Sequence, residues 1–390
     1  MERTVPAALR LSVAQLTLTG FRSYAGLRIE TDPRPVVLTG ANGAGKTNLL
    51  EALSFLVPGR GLRRARLSDI ACRLPQDVDA PLSCGWAVAV HMRGSAGLVN
   101  IGTGIADDTS DRRLVRIDGA GARGQAALSE HVSAVWLTPR MDRLFADGAS
   151  ARRRFLDRLV FGFDAAHAGR VSAYEHSMRE RSRLLRDGQA GQPVDSVWIN
   201  TLEDTMATRG IAVAAARRDM ALRLDEACIR GVGPFPAASL RLIGDVPDWL
   251  AEMPALDAED RLRQGLARAR RGDAMAAAAA VGPHKDDLEV RHRGKGLPAA
   301  DCSTGEQKAM LIAIVLADAR LQAAERGTVP LLLLDEVVAH LDDIRRHALF
   351  DELVALNAQA WMTGTDAELF SPLGSWAQRF TVADAIVSPS

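Results

Sequence analysis

The 390-residue sequence is short of several things, and each shortage narrows what it can be. It has four cysteines (Cys72, Cys84, Cys228 and Cys302), none at CxxC spacing, so reduced thiols are expected rather than a zinc site or a disulfide framework. It has no uninterrupted apolar run of about 18 residues, and Met1 to Arg10 lacks the apolar stretch of a secretory leader. A soluble, cytoplasmic chain with no membrane partner is the expectation. It has no net charge, since 48 basic residues balance 48 acidic ones, so a polyanion would have to be met by a local patch. Lysine is scarcest: Lys46, Lys285, Lys295 and Lys308 are the only lysines among those 48 basic residues. Lys46 stands out against the arginines, because a position that needs a compact ammonium resists replacement by a planar fork.

What is present is apolar bulk. At 47% hydrophobic content the chain supports a large core, arranged as two domains or as one domain with a substantial insertion. Leu11 to Leu18 and Leu27 to Glu30 alternate as half-buried antiparallel strands do. The apolar run Pro35 to Thr39 leads into Gly40-Ala41-Asn42-Gly43-Ala44-Gly45-Lys46-Thr47, and Asn48 to Leu56 then has helical spacing up to Pro58-Gly59. Strand-like stretches between 82 and 137 are expected to extend the same sheet. From about 150 the sequence turns to Arg/Ala/Leu/Glu segments with helical periodicity, interrupted by a loop at Asp187 to Pro193 and by the Pro/Gly-rich stretch Gly231 to Pro247. The Ala274 to Ala280 tract reads as a helix end or a small linker. The predicted organisation is 1–149, a helical insertion 150–272, and a return to alternating strands and helices in 273–390.

Gly40, Gly45, Lys46 and Thr47 fit G-x-x-x-x-G-K-[ST]. In that loop backbone N–H groups and the following helix N-terminus cradle phosphates, the lysine reaches the β/γ oxygens, and the threonine hydroxyl meets Mg2+. Strand before and helix after supply the required context, against the alternative of an ordinary glycine turn. The run Val329 to Leu334 ends in Asp335-Glu336. Alone it is a core strand with a capping turn; paired with the glycine loop, Asp335 holds Mg2+ through water and Glu336 polarises the attacking water.

Ser303-Thr304-Gly305-Glu306-Gln307-Lys308 precedes a strongly helical stretch. Ser303 with Glu306 is a capping box, and the same serine and glycine at a helix N-terminus also make an anion site. Asp342, in Leu341-Asp342-Asp343, is a helix N-cap. These motifs, in this order, resemble the ABC-type ATPases. The resemblance implies an α/β fold, an ABC-type head in which a P-loop sheet is joined by antiparallel strands, carrying a helical insertion domain. It implies ATP and Mg2+ as cofactors, and a signature (Ser303, Gly305, Glu306) that meets the γ-phosphate of a nucleotide on the other protomer. Asp342 would be the residue that crosses the dimer interface. No histidine follows Ala360 to Gly364, and either Thr365 or Asp366 is left as the γ-phosphate switch.

The 303 − 40 = 263 residues between the glycine loop and the signature exceed the spacing of transporter subunits, and no sustained heptads mark a long coiled coil. Leu16 to Tyr24, Gly40 to Glu51, Leu137-Thr138-Pro139, Arg152 to Arg158, Tyr174 to Leu185, Gly282-Pro283-His284-Lys285-Asp286-Asp287-Leu288 and the C-terminal motifs resemble the RecF family of bacterial recombination mediators. Nearly the whole chain is covered. Lys285 stands where arginine is usual, STGEQ replaces SxGQQ, and Asp335-Glu336 replaces an Asp-Asp pair. The resemblance implies an ATP-dependent homodimer of slow turnover that grips double-stranded DNA near single-strand gaps and helps RecO and RecR load RecA.

Arginine clusters at Arg60, Arg63, Arg64 and Arg66, at Arg152, Arg153, Arg154 and Arg158, and at Arg179, Arg181, Arg183 and Arg186 either meet DNA phosphates or form ion-paired helix faces. Arg63, Arg64, Arg152 and Arg153 are the named DNA candidates. Arg22 either reaches the nucleotide or makes a structural ion pair. Segment 282–288 is expected near the nucleotide or the dimer interface, with a plain surface turn as the alternative. Rival readings are a nucleotide-gated DNA-binding scaffold with negligible hydrolysis, against which Glu336 argues, and a defence-type or transport ATPase, for which no fused nuclease or membrane-coupling segment is seen.

Overall fold

Three short segments, Val36–Thr39, Leu331–Leu334 and Ala360–Gly364, are buried at every position, and Val36 to Leu38 and the four leucines are wholly apolar. Such runs suit strands covered on both faces, which is how parallel sheets are built. All three lie in one six-stranded sheet, whose order across is Ile386–Pro389, Gln378–Ala383, Val36–Thr39, Ala360–Gly364, Leu331–Leu334 and Ala134–Leu137. Every pairing is parallel except that of the outermost strand, Ile386–Pro389, with Gln378–Ala383. The glycine loop, Asp335 and Thr365 therefore all leave the sheet at the same, C-terminal edge.

The computed structural model describes residues 9–72, 85–94, 97–106, 112–193 and 195–390. Residues 1–8, which were read for a leader, and Cys84 lie outside them. The chain divides into two compact units, one of residues 1–142, 230–237 and 303–390, the other of 143–229 and 238–302. Among the described residues Cys72 is half-buried and Cys228 and Cys302 are buried, and no helix is long and apolar enough to cross a membrane.

In the first unit a second, antiparallel sheet runs Tyr24–Glu30, Ser12–Phe21, Trp86–Gly94, Gly97–Ile105, Leu114–Ile117 and Ala120–Gly121. The stretches between 86 and 117, expected to extend the P-loop sheet, belong here instead; only Ala134–Leu137 joins the parallel sheet. The physical reason is written in their pattern. Trp86–Gly94 alternates buried and exposed residues, so only one face meets a core, whereas Ala134–Leu137 is buried throughout. Both sheets and the helix Lys46–Ser54 share one core, where Phe21, Phe55 and Trp86 meet edge-on or tilted, with ring centroids 5.0 to 6.1 Å apart.

The Gln359 side chain bridges the sheets. Between Val13 and Gln15 the pairing of Ser12–Phe21 with Trp86–Gly94 slips by one residue. The Gln359 amide, fully buried, fills the gap: it accepts from Val13 N–H (2.8 Å) and Trp361 Nε1–H (3.2 Å) and donates to Val13 O (3.1 Å) and Asp32 O (2.7 Å). Buried amide groups of a bulge need partners, and this one supplies them from 346 residues away.

The second unit holds the helices Ala149–Phe161, His167–Gln189, Ser196–Ile229, Asp245–Glu252 and Ala255–Ala276. The loop read at 187–193 spans the turn between the second and third of these. A small antiparallel sheet of Ala238–Ile243, Asp287–His292 and Leu297–Pro298 completes it. Residues 273–302, expected with the C-terminal half, thus sit with the helices, because Asp287–His292 pairs along its whole length with Ala238–Ile243. The helical unit thus comprises 143–229 and 238–302, with 230–237 belonging to the first unit.

Charges are neutralised inside this unit. Arg181 has no exposed surface and donates to Glu203 Oε1 (2.8 Å), Asp273 Oδ2 (2.6 Å) and Leu266 O (2.7 Å). Arg217 grips both oxygens of Asp157 at 2.8 Å, and His167 Nε2 lies 2.8 Å from the same carboxylate. Burial works to raise the Asp157 carboxyl, but the Arg217 guanidinium overrides it and holds the group at about 2. Segment 282–288 is wired into the same unit. Pro283 O accepts from Arg217 (2.8 Å), Tyr174 Oη lies 2.6 Å from His284 Nδ1, and Arg153 donates to Asp286 O (2.6 Å). The Asp286 carboxylate differs: both oxygens are buried without a hydrogen-bond partner, and burial pushes the group up to about 7 despite Arg217 and Arg153 nearby.

Two measurements check this account. Gln359→Leu strands the Val13 N–H in the core, while Val13 O keeps the Thr31 hydroxyl, and is expected to cost about 1–3 kcal/mol in urea unfolding, no measurable effect contradicting the clasp. Because the folded Asp286 carboxyl titrates above its unfolded value, its stabilising contribution is full below about pH 4 and is lost as pH rises toward 7. Asp286→Asn should therefore gain stability relative to wild type by a few kcal/mol between pH 4 and 8, with parallel pH profiles counting against the raised pKa.

Candidate functional site

The glycine loop is shaped by its neighbours. Gly40 (φ 152°) has the Val382 carbonyl oxygen 2.1 Å from where a Cβ would stand, and Gly45 (φ 113°) has the Tyr24 hydroxyl at 2.7 Å. A side chain fits at neither, so the backbone passes close to its neighbours at both positions before helix Lys46–Ser54 begins. Ala41, Asn42, Gly43 and Ala44 form the turn between them. Lys46 Nζ lies back across the loop and donates to Gly40 O (2.7 Å) and Ala41 O (2.8 Å). Burial lowers its pKa, while Glu336 and Asp335 pull the other way.

Asp335 lies at the end of Leu331–Leu334, one strand removed from Val36–Thr39 in the sheet, and is 5% exposed. Its Oδ1 accepts two hydroxyls, Thr47 Oγ1 at 2.8 Å and Thr363 Oγ1 at 2.8 Å. Burial raises the carboxyl, and the bonds from Thr363 and Thr47 oppose that rise. Glu336 follows in a left-handed conformation (φ 53°), one that costs a non-glycine residue on the order of 1–3 kcal/mol, and its N–H donates to Thr363 Oγ1 at 2.9 Å. Lys46, Thr47, Asp335 and Glu336 are thus brought together, and Thr363, which sequence reasoning missed, stands among them. The missed signal was a single polar residue in the apolar strand Ala360-Trp361-Met362-Thr363-Gly364.

A second missed residue is Glu51, fully buried on the helix after the loop. Arg22 grips it with two donors (2.8 and 2.7 Å) and gives a third to Asp69 O (2.8 Å). Arg63 adds bonds to Glu51 (2.9 Å) and to Asn48 Oδ1 (2.7 Å), and Asn48 Nδ2 donates to Ser23 Oγ (2.9 Å). A cavity of about 440 Å³ opens here, lined by Arg22, Ser23, Asn48, Asp69 and Ala71. The structural ion pair foreseen for Arg22 is present, and the same side chain walls the cavity beside the glycine loop. An acid among Leu49, Leu50, Ala52 and Leu53 was the legible sign of Glu51.

Ser303 caps helix Thr304–Arg326 as a capping box: its Oγ accepts from Glu306 N–H (3.4 Å), and Glu306 Oε2 takes Ser303 N–H (3.2 Å) and the Ser303 hydroxyl (3.0 Å). Ser303 and Gly305 are exposed, with open space where a Gly305 side chain would be. Asp342 caps helix Asp343–Ala355 through Arg345 N–H (2.8 Å). Thr365 and Asp366 are exposed past the end of strand Ala360–Gly364, and Asp366 accepts Glu368 N–H at 2.9 Å.

Several arginines of the clusters are drawn into internal contacts. Arg152 is bound to both oxygens of Asp287 at 2.7 Å and to Phe145 O at 3.1 Å; Arg153 is held by Asp286 O, and Arg63 by Glu51 and Asn48. Arg181 is entirely buried. Their guanidinium donors are used inside the protein, which favours the ion-paired alternative over DNA contact. Arg60, Arg64 and Arg66 are exposed.

The architecture and motifs have known counterparts. The family described as RecF/RecN/SMC N terminal domain matches residues 12–384. The DNA replication and repair protein RecF of Mesorhizobium japonicum is 49% identical over 382 residues, covering 97% of this chain and 98% of its own. That of Allorhizobium ampelinum is 48% identical over 381 residues, covering 96% and 98%. Among solved structures, the recombination mediator protein RecF-ATPrS in the RecFOR pathway matches with a TM-score of 0.82 at 20% identity over 98% of this chain and 99% of that one. An Smc head domain with an extended coiled coil from Pyrococcus furiosus matches at 0.53 and 15% identity over 97% and 96%. These likenesses give the ABC-type ATPase fold. Near-half identity from end to end, on that fold and around that glycine loop, makes the chain a member of the RecF family.

Proposed function

We propose that this chain is a cytoplasmic DNA-repair ATPase that binds ATP with Mg2+, closes into a homodimer on the nucleotide, and grips double-stranded DNA beside single-strand gaps in support of RecO and RecR as they load RecA. The observation that carries the reading is the meeting of Lys46, Thr47, Asp335 and Glu336 at one edge of the parallel sheet. The names of the near-half-identical relatives, DNA replication and repair proteins, supply the setting.

The donor chemistry suits Mg2+. Thr47 Oγ1 and Asp335 Oδ1 are oxygen ligands 2.8 Å apart. Among the described residues no three His, Cys, Asp or Glu side chains gather, so phosphate oxygens and water would complete the shell. When bound, the ion offsets charge on the β- and γ-phosphates. The chain's own groups do the rest. N–H groups of the loop and first turn hold phosphate oxygens, and Lys46 Nζ leaves the carbonyls of Gly40 and Ala41 for the β/γ oxygens. Glu336 orients and deprotonates the attacking water. Ser303 and Gly305, on an exposed helix N-terminus, suit the γ-phosphate of a nucleotide on the second protomer, with Asp342 crossing between protomers and Thr365 or Asp366 as the switch. Arg22 and Asn48 wall the cavity into which the rest of the nucleotide would extend. Hydrolysis then serves as a slow release timer.

Lys46→Ala is expected to abolish ATP-dependent dimerisation, whereas Glu336→Gln slows turnover roughly a hundredfold or more and traps the ATP dimer. Sedimentation showing no mass change with ATP in either the wild type or Glu336→Gln would sink the composite site. DNA affinity in the ATP state is expected to fall linearly with the logarithm of salt, at a slope near −0.9 per phosphate contact. A flat response would remove the DNA-backbone claim.

A further inference from the structure

We infer that Thr363 is a positioning residue for ATP hydrolysis, its hydroxyl locking the backbone of Glu336 against the carboxylate of Asp335. The inference rests on the roles proposed above for Asp335 and Glu336 and adds the group that sets their geometry.

Thr363 is 1% exposed, and its hydroxyl has a single proton. An ionised Asp335 Oδ1, 2.8 Å away, can only accept, and the Glu336 N–H, 2.9 Å away, can only donate. The hydroxyl therefore donates to the first and accepts from the second, with no alternative orientation that keeps both bonds. This matters because Glu336 sits at φ 53°, a conformation that a glutamate leaves unless its surroundings hold it. The described bond to its N–H comes from Thr363. Thr47, the other hydroxyl on Asp335 Oδ1, is the one expected to turn toward a bound nucleotide, and Thr363 then remains as that oxygen's protein donor.

Position in the chain gives the bond a second use. Strand Ala360–Gly364 pairs with Leu331–Leu334 on one side and Val36–Thr39 on the other, so Thr363 lies between the strand ending in Asp335 and the strand feeding the glycine loop. Thr365 and Asp366 follow it after Gly364. A shift of these residues on meeting a γ-phosphate reaches the Glu336 backbone through one hydroxyl.

The test compares Thr363→Val and Thr363→Ala, which lack the hydroxyl, with Thr363→Ser, which keeps it. Single-turnover ATP hydrolysis, affinity for a fluorescent ATP analogue, ATP-driven dimer mass and melting temperature are read for each. Misplacing the base predicts a rate loss of roughly ten- to a hundredfold in Val and Ala, with nucleotide affinity and dimer mass nearly unchanged and the rate largely restored in Ser. A residue that only fills the core would lower melting temperature and nucleotide affinity together with the rate, and that result overturns the inference. So does a wild-type rate in either hydroxyl-free variant. Glu336→Gln run alongside separates the two ideas. If it slows hydrolysis and the Thr363 variants do not, only the positioning role falls; if it hydrolyses normally, the general-base reading itself is lost, and the positioning role with it.

Discussion

One carboxylate oxygen carries the nucleotide site. Asp335 Oδ1 receives a hydroxyl from the helix after the glycine loop, 288 residues earlier, and another from the adjacent strand, 28 residues later, so three chain segments converge on a single atom. Burial makes that charge expensive, and the two hydroxyls offset part of the cost. The left-handed turn at Glu336, the orientation of Thr47 and the end of strand Ala360–Gly364 are all consequences of satisfying it.

The same rule, that a buried charge must be met, organises the rest of the molecule. Glu51 is met by Arg22 and Arg63 beside the cavity, Asp157 by Arg217 and His167, and Glu203 with Asp273 by Arg181. A protein with no net charge and an abundance of arginine has used much of that arginine as internal cross-bracing. Breaking one partner of such a pair leaves an uncompensated charge, so these contacts define which arrangement of the helices is allowed more than they add to its stability. Asp286 is the exception: no hydrogen bond meets its oxygens, and burial pushes its carboxyl up to about 7.

What could be read from the sequence was what is local. The glycine loop, the run ending in Asp335, the Ser303 capping box and the Asp342 cap each depend on residues within a few positions of one another, and each stands where its pattern put it. What could not be read depends on contacts between distant residues. Thr363 looked like one polar residue at the end of a core strand, and Glu51 like a stray acid in a helix. A cluster such as Arg152-Arg153-Arg154 has one spelling whether it faces phosphate or Asp287, so its partner decides and the spelling does not. The strands between 86 and 117 were legible as strands, but alternation told only that one face was covered, not which sheet they would join. Residues 273–302 went to the helical unit because of a pairing with Ala238–Ile243, which no local signal announces.

The order of strands in the parallel sheet also sets a timetable for biosynthesis. Val36–Thr39, which feeds the glycine loop, lies between Ala360–Gly364 and Gln378–Ala383. Both neighbours emerge from the ribosome after more than three hundred further residues, tens of seconds later at about 5–20 residues per second. Until then the apolar faces of that strand and of helix Lys46–Ser54 have no parallel partners to cover them. The parallel pairing around the glycine loop is therefore completed only when synthesis is nearly finished.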